Sequence, residues 1–490
     1  MTSGEAWVLA PLACLIGGAF AVYLLGRFIT SRNEVLALFT ACAFAASLAS
    51  IAIAGQRAGA AHRAGAPVLM WGYLGAGGAY LSATRGGLMM GGIASALGLC
   101  VAIYSGRYLG LDRRYKVYYP LLLMMTTGLT GMVMAADLFS LYMFCELMSI
   151  AAYVLVAFRR QTDTAIEAGF KYLVMGTLGT MTLLFGIALI FRETGVLLLG
   201  EASGPPGTWA RVGMACLLVG LGVKSAVVPM HTWLPDAHGR APSSVSAMLS
   251  GIVIQASLYT LISSSISLGF PSRSLGSVLM AVSLLNMTVG NGLALVQANT
   301  KRLLAYSTIA QMGYAMFSIG VGLRHGIPDA VQAGFFLMLV HAAMKALAFL
   351  SKGICHFYRG TTMIAELRGT YQHLPLVAAT FTVALVGLAG VPPMAGFAGK
   401  WLILAEVLRT GDWAVYVGAG VFLLNTLVSL GYYVPVIAML FTPESGKPAS
   451  KPIAVSAWMA VPLIGLTLVV VILGIAPGPW LGLVQGLLAH

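Results

Sequence analysis

The chain has 490 residues, 59% of them hydrophobic with glycine left out of the count, and only 9% charged, against roughly 25% in a soluble globular protein. This composition excludes a soluble enzyme, and apolar stretches of about 20 residues, the length that spans a bilayer, recur from Ala6 almost to the C-terminus. A net charge of +13 would suggest nucleic acid in a soluble protein; in a membrane protein, loop cations that set orientation account for it.

The first apolar stretch has neither a basic leader nor an Ala-x-Ala-like cleavage site before a soluble chain, so it reads as a retained span. The fold class is an all-α integral membrane protein of about fourteen transmembrane helices, at about 7–28, 35–54, 86–106, 117–135, 138–158, 166–191, 209–230, 242–267, 275–297, 303–323, 330–351, 375–398, 413–441 and 453–476. With both termini outside, the inner side carries sixteen lysines and arginines and the outer side eight, the direction the positive-inside rule demands. Nucleic-acid binding drops out, and the expected location is the inner cell membrane.

Local signals support the placement. Thr164-Ala-Ile-Glu167 reads as a capping box opening the sixth span, and Pro242 with Ser243 and Ser244 opens the eighth. The seventh span is interrupted by Pro229, and the twelfth by the run Gly390-Val-Pro-Pro-Met-Ala-Gly-Phe-Ala-Gly399, after which a half-helix continues past Lys400. Broken helices at corresponding places in two halves are the sequence pointer to an inverted-repeat transporter with its site at mid-membrane.

The six cysteines (Cys14, Cys42, Cys100, Cys145, Cys216, Cys355) stand singly in apolar segments and read as small core residues, so no metal, cluster or haem is expected and no cofactor carries electrons here.

Placing the other cations in loops or at helix ends leaves Lys171, Lys224, Lys345 and Lys400 within or against the spans. A lysine or an acid at a helix centre costs about 2.5 to 3.5 kcal/mol on insertion scales, so function is the default reading of each. Glu146 lies in mid-span, and with Lys224 it would make a pair that a neighbouring charge can switch. His341 and Lys345 sit at i, i+4 on one face of the eleventh span, where the histidine either passes protons or bonds a carbonyl structurally. Lys400 follows the glycine–proline break, where unwound backbone admits water. Glu406 beyond it is an exit group or an interfacial acid, and Lys171 is either functional or snorkels to the surface. His231 and His238 flank Trp233 and Asp236 on the inner surface, without further ligands at metal spacing; proton uptake or subunit contact is the expectation there.

At these residues the chain resembles the antiporter-like subunits shared by respiratory complex I, Mrp-type sodium/proton antiporters, and membrane-bound hydrogenases including formate hydrogenlyase. The resemblance covers roughly residues 85 to 440, and rests on Asp137 to Ser149, Lys171-Tyr-Leu, Lys224 to His238, Ala241 to Gly251, Lys301 to Ser307 with Gln311-Met-Gly-Tyr314, His341 to Lys345 and Gly390 to Lys400. The Ala241 to Gly251 run looks closest to the hydrogenase type. The resemblance implies N-terminal helices over 1–116, one inverted five-helix repeat over 117–267, a second over 275–441, and a last helix over 453–490. It implies that Glu146 and Lys224 form the input pair, that Lys345 and Lys400 carry the proton outward, and that partner membrane subunits supply redox drive or counter-ion flux, with sodium a candidate beside protons. Where most such subunits have a lysine in the eighth span, this chain has Gln255, which hydrogen-bonds but holds no proton at neutral pH. A non-conducting scaffold and a stand-alone secondary transporter are the alternatives.

Overall fold

The computed structural model describes residues 6–29, 32–63, 70–72, 80–110, 112, 114–159, 163–201, 206–444 and 452–488. These residues are helical almost throughout. Helix α1 (Ala6–Leu24) runs into a π turn at Leu25–Ile29, and α2 (Asn33–Arg63) is joined to α3 (Arg85–Tyr108) by a segment holding two short paired strands, β1 (Met70–Gly72) and β2 (Tyr80–Ser82). Then come α4 (Tyr115–Met134), α5 (Leu138–Val156), α6 (Asp163–Thr194), α7 (Thr208–Lys224), and the short α8 (Trp233–Arg240) and α9 (Ser243–Met248). A π turn at Leu249–Val253 carries α9 into α10 (Ile254–Ser267), followed by α11 (Ser272–Leu295), α12 (Thr300–His325) and α13 (Pro328–Arg359). The remainder is α14 (Thr370–His373), α15 (Pro375–Ala389), α16 (Ala395–Val407), α17 (Trp413–Phe441), α18 (Ala457–Ile475) and α19 (Gly478–Leu481).

Among the described residues, 11 helices are long and apolar enough to cross a bilayer, so the chain is a multi-pass membrane protein. Three further segments at expected spans fall outside that set for a physical reason. Helix α7 stops at Lys224, α15 and α16 are two pieces of one broken segment, and α12 is polar along one face through Ser307, Gln311 and Tyr314. Both breaks use backbone that most residues avoid: Ala226 has φ +51°, and Gly390 caps α15 with φ +83°.

Burial runs outward from α13 and the α9–α10 segment, which are almost wholly enclosed, to α1, α17 and α18, which are only one-third covered. The outermost helices show Phe20, Phe170, Leu178, Phe185, Trp401 and Leu427 to their surroundings, an apolar exterior suited to lipid. Hydrophobicity cannot hold such helices together, because lipid tails are as apolar as leucine; close backbone approach does. Helices α6 and α7 meet through Gly179, Gly186, Gly213 and Gly220, where an added Cβ on Gly220 would lie 2.6 Å from the Gly179 carbonyl oxygen.

Several expectations need correction. Helix α6 starts at Asp163, so Thr164 is inside it, and Glu167 pairs forward with Lys171 at 2.7 Å instead of closing a capping box. Only Cys145 and Cys355 are buried; Cys42 is exposed on the apolar outside, where a thiol is as well accommodated as in a core. Lys301 and Lys352, read as cations at helix ends, are buried because the helix ends themselves lie under neighbouring segments. Arg113, Arg160, Lys447 and Lys451 lie outside the described residues.

The glycine contact gives a test. Gly220→Ala forces α7 off the α6 backbone, which cannot yield, and overpacking of this kind costs about 1–3 kcal/mol. The thermal midpoint of the purified protein falls accordingly; an unchanged midpoint would show that the helix pair has slack.

Candidate functional site: a line of buried lysines

Helix α7 ends on Lys224 with its last carbonyls unbonded within the helix, a cost that in an apolar slab must be met by protein groups. The Trp233 indole donates to Val223 O at 2.9 Å, and the backbone N–H groups of Ser225 and Val227 return to Leu221 O and Gly222 O at 2.8 and 2.9 Å. Trp233 is held by a stack on Tyr172 (centroids 4.1 Å, interplanar 7°), and Tyr172 meets Tyr153 edge-on at 4.6 Å. This buttress fixes the end of α7, and with it Lys224.

The Lys224 ammonium donates to Ser149 Oγ at 2.6 Å and Tyr153 Oη at 2.8 Å. Both belong to α5, where Glu146, Ser149 and Tyr153 stand at i, i+3 and i+7 on one face. Glu146 makes no ion pair with Lys224 among the described residues; it acts on the lysine through space, and its Oε1 is buried without a hydrogen-bond partner. Lys224 of α7 bonds Ser149, which stands one helical turn along α5 from Glu146.

Lys345, wholly buried in α13, donates to Leu304 O at 2.7 Å and to Ser307 Oγ, both of α12. One turn earlier, His341 Nδ1 meets Gln255 Nε2 at 2.8 Å, and the same amide nitrogen donates to Gly251 O at 2.6 Å in the widened π turn. Because the amide donates, His341 carries its proton on Nε2, which is buried and unpartnered, as is Gln255 Oε1. Gln255 of α10 and His341 of α13 are brought together directly.

Lys400 repeats the Lys224 arrangement with different parts. It lies early in α16, 4% exposed, and donates to the terminal α15 carbonyls of Ala389 and Leu388 at 3.1 and 3.4 Å. Its ammonium also sits 4.8 Å over the Tyr314 ring. The negative end of a helix dipole and a ring face both favour a cation there.

The secondary candidates separate. Lys171 is half-exposed, bonded to Glu167 at 2.7 Å and Asp236 at 3.2 Å, and Asp236 also holds Arg302 at 2.6 Å, so the first turns of α6 are tied to α12 through α8. Glu406 pairs with exposed Arg409 at 2.9 Å near the end of α16. His231 is half-buried beside Tyr306. His238 is not on the surface: it is fully buried, stacked on Phe349 at 4.9 Å, with neither ring nitrogen bonded, because α8 folds inward under α13. Residues that single-chain reasoning passed over are Ser149, Tyr153 and Ser307, the lysines' partners, and Lys301 and Lys352, which donate to Ala241 O and, at 2.6 Å, to Thr361 O. Helical spacing from Glu146 could have flagged the first two; nothing in the sequence marks the rest. No His, Cys, Asp and Glu cluster fit to hold a metal occurs among the described residues.

Chemically the site is unusual in what surrounds its charges. Among the described residues no carboxylate lies within 4.0 Å of Lys224, Lys345 or Lys400. Their partners are hydroxyls and carbonyls. A hydroxyl accepts from an ammonium and, on rotation, donates to a neutral amine, so Ser149, Tyr153 and Ser307 serve either protonation state. The buttress is testable: Trp233→Phe keeps the stack on Tyr172 and leaves Val223 O with the Ala226 N–H alone at 3.1 Å, a loss of about 0.5–1.5 kcal/mol for one hydrogen bond. A thermal midpoint equal to the parent would remove the indole from the account.

Comparison with known proteins places the chain in a family. The family described as "NADH:quinone oxidoreductase/Mrp antiporter, TM" matches residues 135–429. The chain is 34% identical over 369 residues to the NADH-quinone oxidoreductase subunit N of Desulforamulus reducens, covering 74% of this chain and 75% of that one. With subunit N of Geotalea uraniireducens it shares 30% identity over the whole of both chains. Among solved structures, a chain of the archaeal membrane-bound sulfane sulfur reductase superposes with TM-score 0.86 at 28% identity (98% and 96% covered), and one of Thermus thermophilus respiratory complex I with 0.76 at 27% (96% and 98%). A chain of the Mrp complex from Dietzia sp. DQ12-45-1b shares the fold, with TM-score 0.86 at 22% identity, covering 100% of this chain and 97% of that one. The chain is a member of the NADH:quinone oxidoreductase/Mrp antiporter family of membrane subunits.

Proposed function

We propose that this protein is a proton-translocating antiporter-like subunit of a multi-subunit membrane complex of the complex I kind, in which other membrane subunits supply the redox drive. The observation that carries the reading is the series of buried cations at helix breaks, Lys224 and Lys400, with Lys345 and His341 between them, held by neutral oxygens that accommodate gain and loss of a proton. Burying this many ionisable groups in an apolar slab is costly, and such groups mark ion pathways in membrane proteins. The names of the relatives, all subunit N of NADH-quinone oxidoreductases, support the complex I assignment over the hydrogenase type suggested by the Ala241 to Gly251 run.

In this reading about fourteen spans form two inverted five-helix repeats over 117–267 and 275–441, each with one broken helix. Protons enter from the inner side past Glu146 to Lys224, cross by way of Gln255 and His341 to Lys345, and leave by Lys400 toward Glu406. The direct Gln255–His341 contact supports His341 as the central proton carrier. The inner cell membrane, with both termini outside, follows from the distribution of basic residues.

The test is proton movement in the reconstituted complex. Lys224→Ala or Glu146→Ala lowers coupled proton flux by about tenfold or more, the scale of a lost proton-transfer group, while the complex still assembles. Unchanged flux in both variants would sink the reading. Gln255 motivates the second reading, a scaffold that conducts nothing: there Gln255→Lys and Lys224→Ala are both silent.

A further inference from the structure

A gap separates Lys345 from Lys400, and the face of α12 that spans it is not apolar. Ser307, Gln311 and Tyr314 stand at i, i+4 and i+7. Ser307 Oγ accepts from Lys345 and donates to Leu304 O at 2.9 Å. Gln311 Nε2 donates at 2.9 Å to Leu388 O, the same carbonyl that accepts from Lys400 at 3.4 Å. The Tyr314 ring lies under the Lys400 ammonium. One stripe of one helix therefore touches both lysines.

Opposite this stripe, α17 contributes Tyr433. Its side chain is fully buried and packs on Tyr432 (ring centroids 4.4 Å), and its hydroxyl interacts with Ser307, Tyr432 and Gln311 without a well-formed hydrogen bond to any of them; Gln311 Oε1 is likewise without one. A buried polar group left unmade costs about 1–3 kcal/mol, and a phenylalanine would fill the same space without that cost. The neighbouring Tyr432 is a contrast: its hydroxyl donates to Asn291 Oδ1 at 2.8 Å, inside a network in which Asn291 also bonds Tyr314 and Asn425. Tyr432 is held by a close structural bond, whereas Tyr433 lies against the α12 stripe with no bond of that kind.

We propose that Ser307, Tyr433 and Gln311 form the proton connection between Lys345 and Lys400, an inference that rests on those lysines carrying protons. Ser307 Oγ takes a proton from the Lys345 ammonium as its own proton passes to Tyr433 Oη. Tyr433 releases its phenolic proton to a water molecule held by Gln311 Oε1, and that water gives one proton to the neutral Lys400 amine. One proton moves from Lys345 to Lys400; the two hydroxyls and the water end as they began. Gln311 is a positioning residue that holds the water and the Leu388 carbonyl.

The experiment measures proton flux in proteoliposomes holding the intact complex. Tyr433→Phe and Ser307→Ala each reduce flux by about tenfold or more, Ser307→Thr restores it, and Tyr432→Phe stays within about twofold of the parent. Replacing Tyr433 by difluorotyrosine, nearly the same shape with a more acidic phenol, moves the alkaline limb of the flux profile to lower pH, which a purely structural tyrosine would not do. Tyr433→Phe with parental flux, while Lys345→Ala and Lys400→Ala abolish it, overturns the connection and leaves the pathway reading intact. Silent Lys345→Ala and Lys400→Ala variants overturn the reading beneath it.

Discussion

A helix interrupted inside an apolar slab leaves carbonyl groups that no water can reach, and the arrangement of this molecule follows from where those carbonyls find donors. At the end of α7 the donors are the Trp233 indole and two backbone amides; at the end of α15 one donor is the ammonium of Lys400 itself. The two breaks are thus solved by opposite means. In one the lysine is freed to bond side-chain hydroxyls of α5, and in the other it is the cap. Each solution places a cation near the negative end of a helix dipole, with no carboxylate within 4.0 Å among the described residues.

From those two fixed points the interior polar groups order themselves. Helix α13 and the α9–α10 segment fill the centre of the bundle and carry His341, Lys345 and Gln255; α12 lies beside them with Ser307 and Gln311. Four buried polar atoms here make no hydrogen bond, Gln255 Oε1, His341 Nε2, Gln311 Oε1 and Tyr433 Oη, and neither do others elsewhere in the bundle, among them the hydroxyls of Thr130, Ser140 and Thr260. Buried polar groups are ordinarily satisfied. The adjacent Asn291–Asn425–Tyr432 network is bonded throughout, so under the proposal the two sets of groups differ in role, one open to a moving proton and one holding helices together.

Much of this was legible in the sequence, because membrane helices announce themselves by composition and because proline and glycine mark breaks. The interruptions at Pro229 and at Gly390 to Gly399 were readable residue by residue, and so were Glu146, Lys224, Lys345 and Lys400, since a charge in an apolar run is anomalous wherever it packs. What stayed hidden depends on tertiary placement. Lys301 and Lys352 look like loop cations until other segments are laid over their helix ends, and His238 looks superficial until α8 turns inward. Serine and tyrosine are ordinary in membrane helices, so Ser149, Tyr153, Ser307 and Tyr433 acquire meaning only from the lysines they face. Among the described residues Lys224 bonds Ser149 and Tyr153 of α5 and makes no ion pair with Glu146, a partnership of hydroxyls that residue type alone does not mark.

The central claim is that this chain contributes its own proton to the work of the complex it joins. The most direct measurement is the number of protons translocated per electron pair by the purified complex in sealed vesicles, parent against Lys400→Met, with the redox rate recorded in the same sample. The account predicts a lower ratio at a largely retained redox rate. A ratio equal to that of the parent would contradict it.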